Sequence, residues 1–117
     1  MRPEQRDVAL LWDMLTAARE IVEFTAGADA RRFEQDRMLR YSVVRQLLVI
    51  GEAARRVSET FRAAHAEIPW SRIVGLRNIL AHDYGEVLVE RVWRTAVEHI
   101  PGLIRQLEPL VPTGPDA

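Results

Sequence analysis

The amino-acid sequence predicts an all-α protein, built as a bundle of four main helices with short connections. Apolar residues recur at three- and four-residue steps along most of the chain, which is typical of the buried face of an amphipathic helix. Sustained alternation of apolar and polar residues, the pattern of a half-buried strand, is not found. With 117 residues, 48% of them hydrophobic and 28% charged, the chain is suited to a single globular domain.

Two helices are predicted in the first half of the chain. The first covers about 6–25, with an apolar stripe formed by Val8, Leu11, Leu15, Ala18 and Val22. Gly27 ends this helix, and Asp29 can cap a short helical turn that reaches Phe33. The second helix covers about 36–60, and its stripe is formed by Leu39, Val43, Leu47, Ile50, Ala54, Val57 and Phe61.

Prolines mark the helix boundaries in the second half. Pro69 disfavours helix at the preceding residue, so a third helix is expected to start at Trp70 or Ser71 and to reach about Ala81, with Gly85 as the break. A last helix is expected from about residue 86, kinked or restarted at Pro101 because proline lacks a backbone N–H. Its stripe is formed by Val89, Trp93, Val97, Ile100, Ile104 and Leu107. Residues 1–108 are then one domain and residues 109–117 a flexible tail.

Composition excludes several classes of function. The chain has no cysteine, which excludes disulfides, thiolate metal sites and a cysteine nucleophile. The longest aliphatic run covers only residues 47–50, and the first residues contain no apolar signal core, so we expect a cytoplasmic protein without a membrane partner. The net charge of −1 provides no global field to attract nucleic acid.

All sixteen basic residues are arginine and none is lysine. Biased genome composition is the simple explanation, but arginine is also the better residue for bidentate contacts to phosphate. The arginines of the second helix lie mostly off its apolar stripe. They form either a solvated face or a surface that follows RNA.

Candidate chemistry is concentrated where the third helix is expected to end. Arg77, His82 and Tyr84 lie close together in the sequence, with Asn78 next to the arginine. Arginine can hold a phosphate through two hydrogen bonds, and histidine transfers protons near neutral pH. Arg77 and His82 could therefore serve transfer chemistry at a phosphodiester without a metal or cofactor.

The Arg-x4-His spacing alone is weak evidence, because Arg94 and His99 repeat it without a following tyrosine. Geometry adds a constraint, since the side chains of Arg77 and His82 would leave a straight helix about 140° apart. Either the helix ends near Ala81 and the chain turns, or a second subunit completes the site. We expect both: Gly85 supplies the turn, and a symmetric dimer brings two copies of the segment together.

The segment IPWSRIVGLRNILAHDY, residues 68–84, resembles the signature of the HepT-like toxins of the HEPN superfamily (higher eukaryotes and prokaryotes nucleotide-binding). Residues 50–53 on the second helix and residues 12–15 on the first resemble the same family. The resemblance implies an antiparallel four- to five-helix bundle of HEPN type that forms a homodimer, with the motifs meeting in a cleft between the subunits. It also implies a metal-independent endoribonuclease toxin acting on tRNA or mRNA at a composite site between subunits, with no cofactor.

The resemblance assigns catalytic roles to Arg77, Asn78 and His82. It implies a nucleotidyltransferase antitoxin of the MntA type as partner, which transfers AMP to Tyr84 and thereby silences the nuclease. An alternative is a non-catalytic HEPN module that binds a nucleotide or a nucleotidyltransferase.

Simpler structural roles are also open for these residues. Arg77 could bridge Asp83 or Glu86, His82 could cap the last carbonyls of its helix, and Tyr84 could be a packing residue. Glu52 follows Gly51 where a close helix contact is expected, and we interpret it as a buried structural carboxylate paired with an arginine. His65 is interpreted as a surface loop histidine with no acidic or basic residue arranged around it, and His99 as a partly exposed residue of the last helix, beside Glu98.

Overall fold

The computed structural model describes residues 3–83 and 88–112, and it contains no strand in these ranges. Two short turns flank the last helix: the π-helical turn Thr95–His99 precedes it and the 3₁₀ turn Glu108–Leu110 follows it. The predicted all-α bundle is therefore confirmed. The α-helices are α1 (Pro3–Thr25), α2 (Ala30–Gln35), α3 (Arg37–Arg56), α4 (Glu59–Ala64), α5 (Trp70–Asp83), α6 (Val89–Arg94) and α7 (Ile100–Leu107).

Helices α1 and α3 form the antiparallel centre of the bundle. The Ser58 amide and hydroxyl, just beyond α3, donate to the buried carboxylate of Asp7 at 2.9 and 2.7 Å. Near the other ends of the helices, Gln46 Nε2 donates to Glu20 Oε2 at 2.8 Å. Helix α5 packs on α3 and α7 packs on α1. The most deeply buried side chains include Leu11, Met14, Leu15, Ile21, Phe33, Val43, Ile50, Leu80 and Leu107.

The first half of the chain follows local signals closely. Gly27 adopts a φ of +76°, a left-handed conformation that favours glycine, and α1 ends at Thr25 as predicted. The Asp29 side chain accepts a hydrogen bond from the Arg32 amide at 2.8 Å and caps α2. The Asp36 side chain caps α3 in the same way through the Leu39 amide at 2.9 Å.

The predicted extent of the second helix is wrong at its C-terminal end. Helix α3 ends at Arg56 instead of continuing to residue 60. Ser58 stops it, because its hydroxyl oxygen accepts from the Phe61 amide and caps α4 while its own amide donates to Asp7. Phe61 consequently belongs to α4, where it is only partly buried.

Helix α5 starts where Pro69 predicts and ends later than expected. Trp70 is its first residue, and the buried indole donates to the His65 carbonyl at 2.9 Å, which closes the α4–α5 connection. The helix continues through Asp83, so the expectation that it ends near Ala81 is wrong. The proposed break at Gly85 and the expected helix start at residue 86 lie outside the described residues.

Pro101 restarts the last helix as predicted, and a π turn accommodates it. The Ile100 amide donates to the Thr95 carbonyl, five residues earlier. Proline cannot donate to the carbonyl four residues before it and its ring crowds that group, so a wider turn relieves the conflict. The chain stays packed beyond residue 108, since Val111 is buried.

Two residues of the predicted stripes, Val22 and Val97, are exposed, because the buried faces are rotated slightly from the sequence estimate. Ile79, an apolar residue of the predicted third helix, is exposed as well. No helix in the described ranges has the length and apolarity needed to cross a membrane.

Candidate functional site

Helix α5 crosses helix α3 with Arg77 directly against Gly51. A Cβ placed on Gly51 would lie 2.1 Å from Arg77 Cβ, 2.6 Å from Arg77 Cγ and 3.3 Å from the Ile73 carbonyl oxygen. Atoms cannot approach so closely, so the contact requires glycine on α3. The close helix contact expected at Gly51 is confirmed, and it fixes where the arginine side chain starts.

Two polar groups hold the guanidinium of Arg77. Its NH2 lies 3.4 Å from Glu52 Oε2, and its NH1 donates to Asn78 Oδ1 at 3.1 Å. The Arg77 side chain retains 33% of its accessible surface. The guanidinium is therefore positioned by neighbours on two helices while part of it still faces solvent.

Glu52 is the centre of a small cluster of charges. Its carboxylate also accepts from Arg55, at 2.8 Å from NH2 and 3.3 Å from Nε. The Glu52 pKa is lowered from its ordinary value, chiefly by the hydrogen bond from Arg55, with further lowering by the charges of Arg55 and Arg77. The expected arginine partners are confirmed, but the side chain is 40% exposed rather than buried. Neutral pH leaves this carboxylate charged and able to hold Arg77.

A groove of about 420 Å³ lies beside this cluster, between α1, α3 and α5. Its floor is apolar, formed in part by Leu48 and Val49. Its charged lining comprises Arg45, Arg56, Arg77, Asp13 and Glu52. The arginine of the sequence motif thus borders an open surface depression rather than an enclosed cavity.

His82 lies on the exposed face of α5. Because α5 is continuous through both residues, the side chains of Arg77 and His82 leave the helix about 140° apart. The structure therefore brings Arg77 and Asn78 together but directs His82 elsewhere. A bridge from Arg77 to Asp83 or Glu86 is one of the simpler roles, and the acidic partner found is Glu52. Glu86 and Tyr84 lie outside the described residues.

The remaining histidines have different surroundings. His65 is partly buried, stacks on Phe61 with ring centroids 4.3 Å apart, and has Nδ1 at 3.5 Å from Glu67 Oε1. The expectation that nothing charged surrounds it is therefore wrong. His99 is exposed, as expected, and borders a second groove between α5 and α7.

Comparison with known proteins decides the family. The family model described as "Ribonuclease HepT-like" matches residues 14–110. The chain belongs to the HepT-like ribonuclease family. No solved structure matches the chain.

Relatives of the HepT-like family cover nearly the whole chain. One is "Putative RNase MJ1380" of Methanocaldococcus jannaschii, 39% identical over 105 residues, which are 89% of this chain and 96% of the relative. Another is "Probable ribonuclease HepT" of Thermococcus cleftensis, 36% identical over 100 residues, which are 86% of this chain and 91% of the relative. The resemblance noted in the sequence is confirmed, and the ribonuclease class of function follows at the level of the family.

Sequence reasoning expected an arginine partner for Glu52 but missed that Arg77 is one of the partners. Glycine before a carboxylate in an apolar stripe is the available signal, since it marks both a close approach and a charge that needs a partner. It does not identify which of sixteen arginines is that partner, because the helix crossing decides it.

Substitution of Glu52 by glutamine is expected to loosen Arg77. A lowered carboxyl pKa means that the pairing is complete above the ordinary value near 4.5 and is lost only as the pH falls through the lower folded value. In the parent, the order parameter of the Arg77 Nε–H bond should stay constant from pH 8 to 5. In Glu52→Gln it should fall below about 0.6 at neutral pH, measured by ¹⁵N relaxation. The matched control is Glu23→Gln on the exposed face of α1, and an equally mobile Arg77 in both variants would contradict the assignment.

Proposed function

We propose that this chain is the ribonuclease toxin of a toxin–antitoxin pair and cleaves tRNA or mRNA without a metal. The ribose 2′-hydroxyl attacks the adjacent phosphorus, so that the 2′-O–P bond forms and the P–O5′ bond breaks. His82 of one subunit removes the hydroxyl proton, and the partner's His82 protonates the leaving 5′ oxygen. Arg77 binds the phosphate and stabilises the charge that builds on its oxygens. Asn78 orients Arg77.

The observation that carries this proposal is that Arg77 is held in position by its neighbours, in a chain that belongs to a ribonuclease family. Arg77 is fixed at its base by Gly51 and at its tip by Glu52 and Asn78. A donor held in place before the substrate binds stabilises developing charge without reorganisation. His82, exposed on the same helix, is free to meet a substrate.

A homodimer completes the site in this proposal, because one continuous helix directs Arg77 and His82 apart. The outer face of α5 supports it. Gly75, Asn78 and His82 fall within about 60° around the helix axis. A Cβ added at Gly75 would meet nothing within 4 Å, and the neighbouring Ile79 is exposed. A glycine inside a helix lowers stability, but it also allows the backbone of a second α5 to approach closely.

Regulation in this proposal takes place at Tyr84, which follows Asp83 in the sequence. With a nucleotidyltransferase antitoxin of the MntA type, the tyrosine oxygen attacks the α-phosphorus of ATP. The bond from oxygen to AMP forms, the bond to diphosphate breaks, and the phenolic proton is released to solvent. The added phosphodiester is negative and bulky, so it repels RNA and blocks the approach to His82. The family resemblance of residues 68–84 is what supports this step.

The test compares protein produced alone with protein produced together with such a nucleotidyltransferase. Protein produced alone should cleave RNA in EDTA and leave 2′,3′-cyclic phosphate and 5′-hydroxyl ends, identified by mass spectrometry. Co-produced protein should be heavier by about 329 Da per AMP and inactive, and Tyr84→Phe should prevent both changes. Products with 3′-hydroxyl ends would exclude the mechanism, and intact RNA with the unmodified protein would favour the non-catalytic HEPN module.

A further inference from the structure

A second depression in the described part of the molecule lies on a different face of α5 from the Arg77 groove. It has two adjoining lobes of about 610 and 260 Å³, bounded by α5 and by the run from α6 to α7. Ile73, Leu76 and Leu103 contribute its apolar floor. Its rim carries arginines from three different helices: Arg72, Arg91, Arg94 and Arg105.

The charge of this groove differs from that of the whole chain. The chain carries a net charge of −1, whereas four guanidinium groups here face two carboxylates, Glu67 and Glu98. Glu98 lies 3.8 Å from Arg94, one of the four arginines, and Glu67 lies 3.5 Å from His65. The surplus of positive charge is therefore local to this surface.

Three of the four arginines are available to a ligand. Within residues 3–83 and 88–112, Arg72, Arg91 and Arg105 make no ion pair or side-chain hydrogen bond, and all three are exposed. Arg77, by contrast, has its guanidinium engaged by Glu52 and Asn78. A ligand with several negative groups can replace the water on the three free arginines without breaking an existing contact.

We propose that this groove binds the phosphodiester backbone of the RNA, through Arg72, Arg91 and Arg105. The choice of RNA as ligand rests on the proposed function. Arg72 precedes His82 by ten residues on α5, which is about 15 Å along the helix axis. The groove and the exposed histidine therefore share one helix, and a single bound strand can reach both. The groove supplies sequence-independent affinity that a chain with a net negative charge otherwise lacks.

The test measures binding separately from cleavage. The probe is a fluorescein-labelled 12-nucleotide RNA with 2′-O-methyl groups, which removes the attacking hydroxyl, and the readout is fluorescence anisotropy with the full chain. Arg72→Gln, Arg91→Gln and Arg105→Gln combined should weaken binding about tenfold or more at 0.1 M salt. The slope of log K against log salt should become shallower by about 2, at about 0.7 for each lost contact to a single strand.

The matched control removes the same charge elsewhere, with Arg6→Gln, Arg19→Gln and Arg31→Gln combined; all three arginines are exposed. It should bind like the parent, and circular dichroism should show both triple variants folded. Equal losses in both variants would show a diffuse charge effect and overturn the groove. Unchanged RNA binding by the groove variant would also overturn the groove. So would a groove variant that loses affinity for an acidic peptide but binds the RNA probe like the parent.

The outcomes separate this inference from the proposed function. If the parent protein cleaves unmodified RNA and the groove variant still binds the RNA probe with full affinity, only the groove proposal is overturned. Groove-dependent binding of the probe by a protein that leaves unmodified RNA intact would overturn the nuclease and retain the groove.

Discussion

His82→Ala is expected to reduce RNA cleavage by about 10²–10⁴-fold, the usual contribution of a general acid or base. The loss should appear in the rate of the chemical step, with the fold unaffected, because His82 is exposed on the surface of α5. Exposed substitutions of this kind change stability by about 0.5 kcal/mol or less. The measurement is the single-turnover cleavage rate at saturating protein, accompanied by a thermal unfolding curve.

The control for His82→Ala is His65→Gln, which removes a histidine at the end of α4. It should cleave at the parent rate. If His82→Ala cleaves as fast as the parent, the assigned base is wrong. If it unfolds at a much lower temperature, the residue has a structural role instead.

Subunit mixing shows whether one cleft uses both copies of His82. In an equal mixture of parent and His82→Ala chains, random pairing leaves about a quarter of the dimers with two histidines. Activity per total protein, relative to the parent alone, should therefore fall to about a quarter if each cleavage needs both histidines. Independent sites, or active monomers, would retain about a half.

The parts of the fold that could be predicted are those with a local cause. Asp29 caps a helix through an amide three residues away, and the effects of Pro69 and Pro101 are confined to their own turns. Such signals depend on the neighbouring few residues, which the sequence displays directly.

The parts that could not be predicted depend on contacts between distant segments. The break after Arg56 depends on Asp7, fifty-one residues before Ser58, as well as on the local cap. The exposure of Val22 while Ile21 is buried depends on how α1 is rotated against the bundle. A period of three to four residues defines a face of a helix only to within about one residue, so it does not separate these two neighbours.

The candidate site shows the same division. Arg77, Asn78 and His82 are found by residue type and spacing, whereas the role of Gly51 and Glu52 appears only when α5 is placed across α3. The length of α5 also matters, because a helix that ended near Ala81 could have turned His82 towards Arg77. Its continuation through Asp83 is what makes a second subunit necessary in the proposed mechanism.

Gly51→Ala is expected to destabilise the protein by about 1–3 kcal/mol, the usual cost of overpacking. Helix propensity alone predicts the opposite sign, since alanine inside a helix is more favourable than glycine by about 0.5–1 kcal/mol. The clash decides the sign, because the new Cβ would lie 2.1 Å from Arg77 Cβ. Urea unfolding followed by circular dichroism measures the difference.

The matched control is Gly102→Ala in α7, where the nearest atom to an added Cβ is the flexible Arg105 NH2 at 3.7 Å. That variant should be as stable as the parent or slightly more stable. Because the overlap at Gly51 involves Cβ itself, the additional change Arg77→Ala should not restore stability, whereas Arg77→Gly should relieve the clash. A Gly51→Ala protein as stable as the Gly102→Ala protein would show that α5 does not cross α3 at this point, and would remove the physical basis for a pre-positioned Arg77.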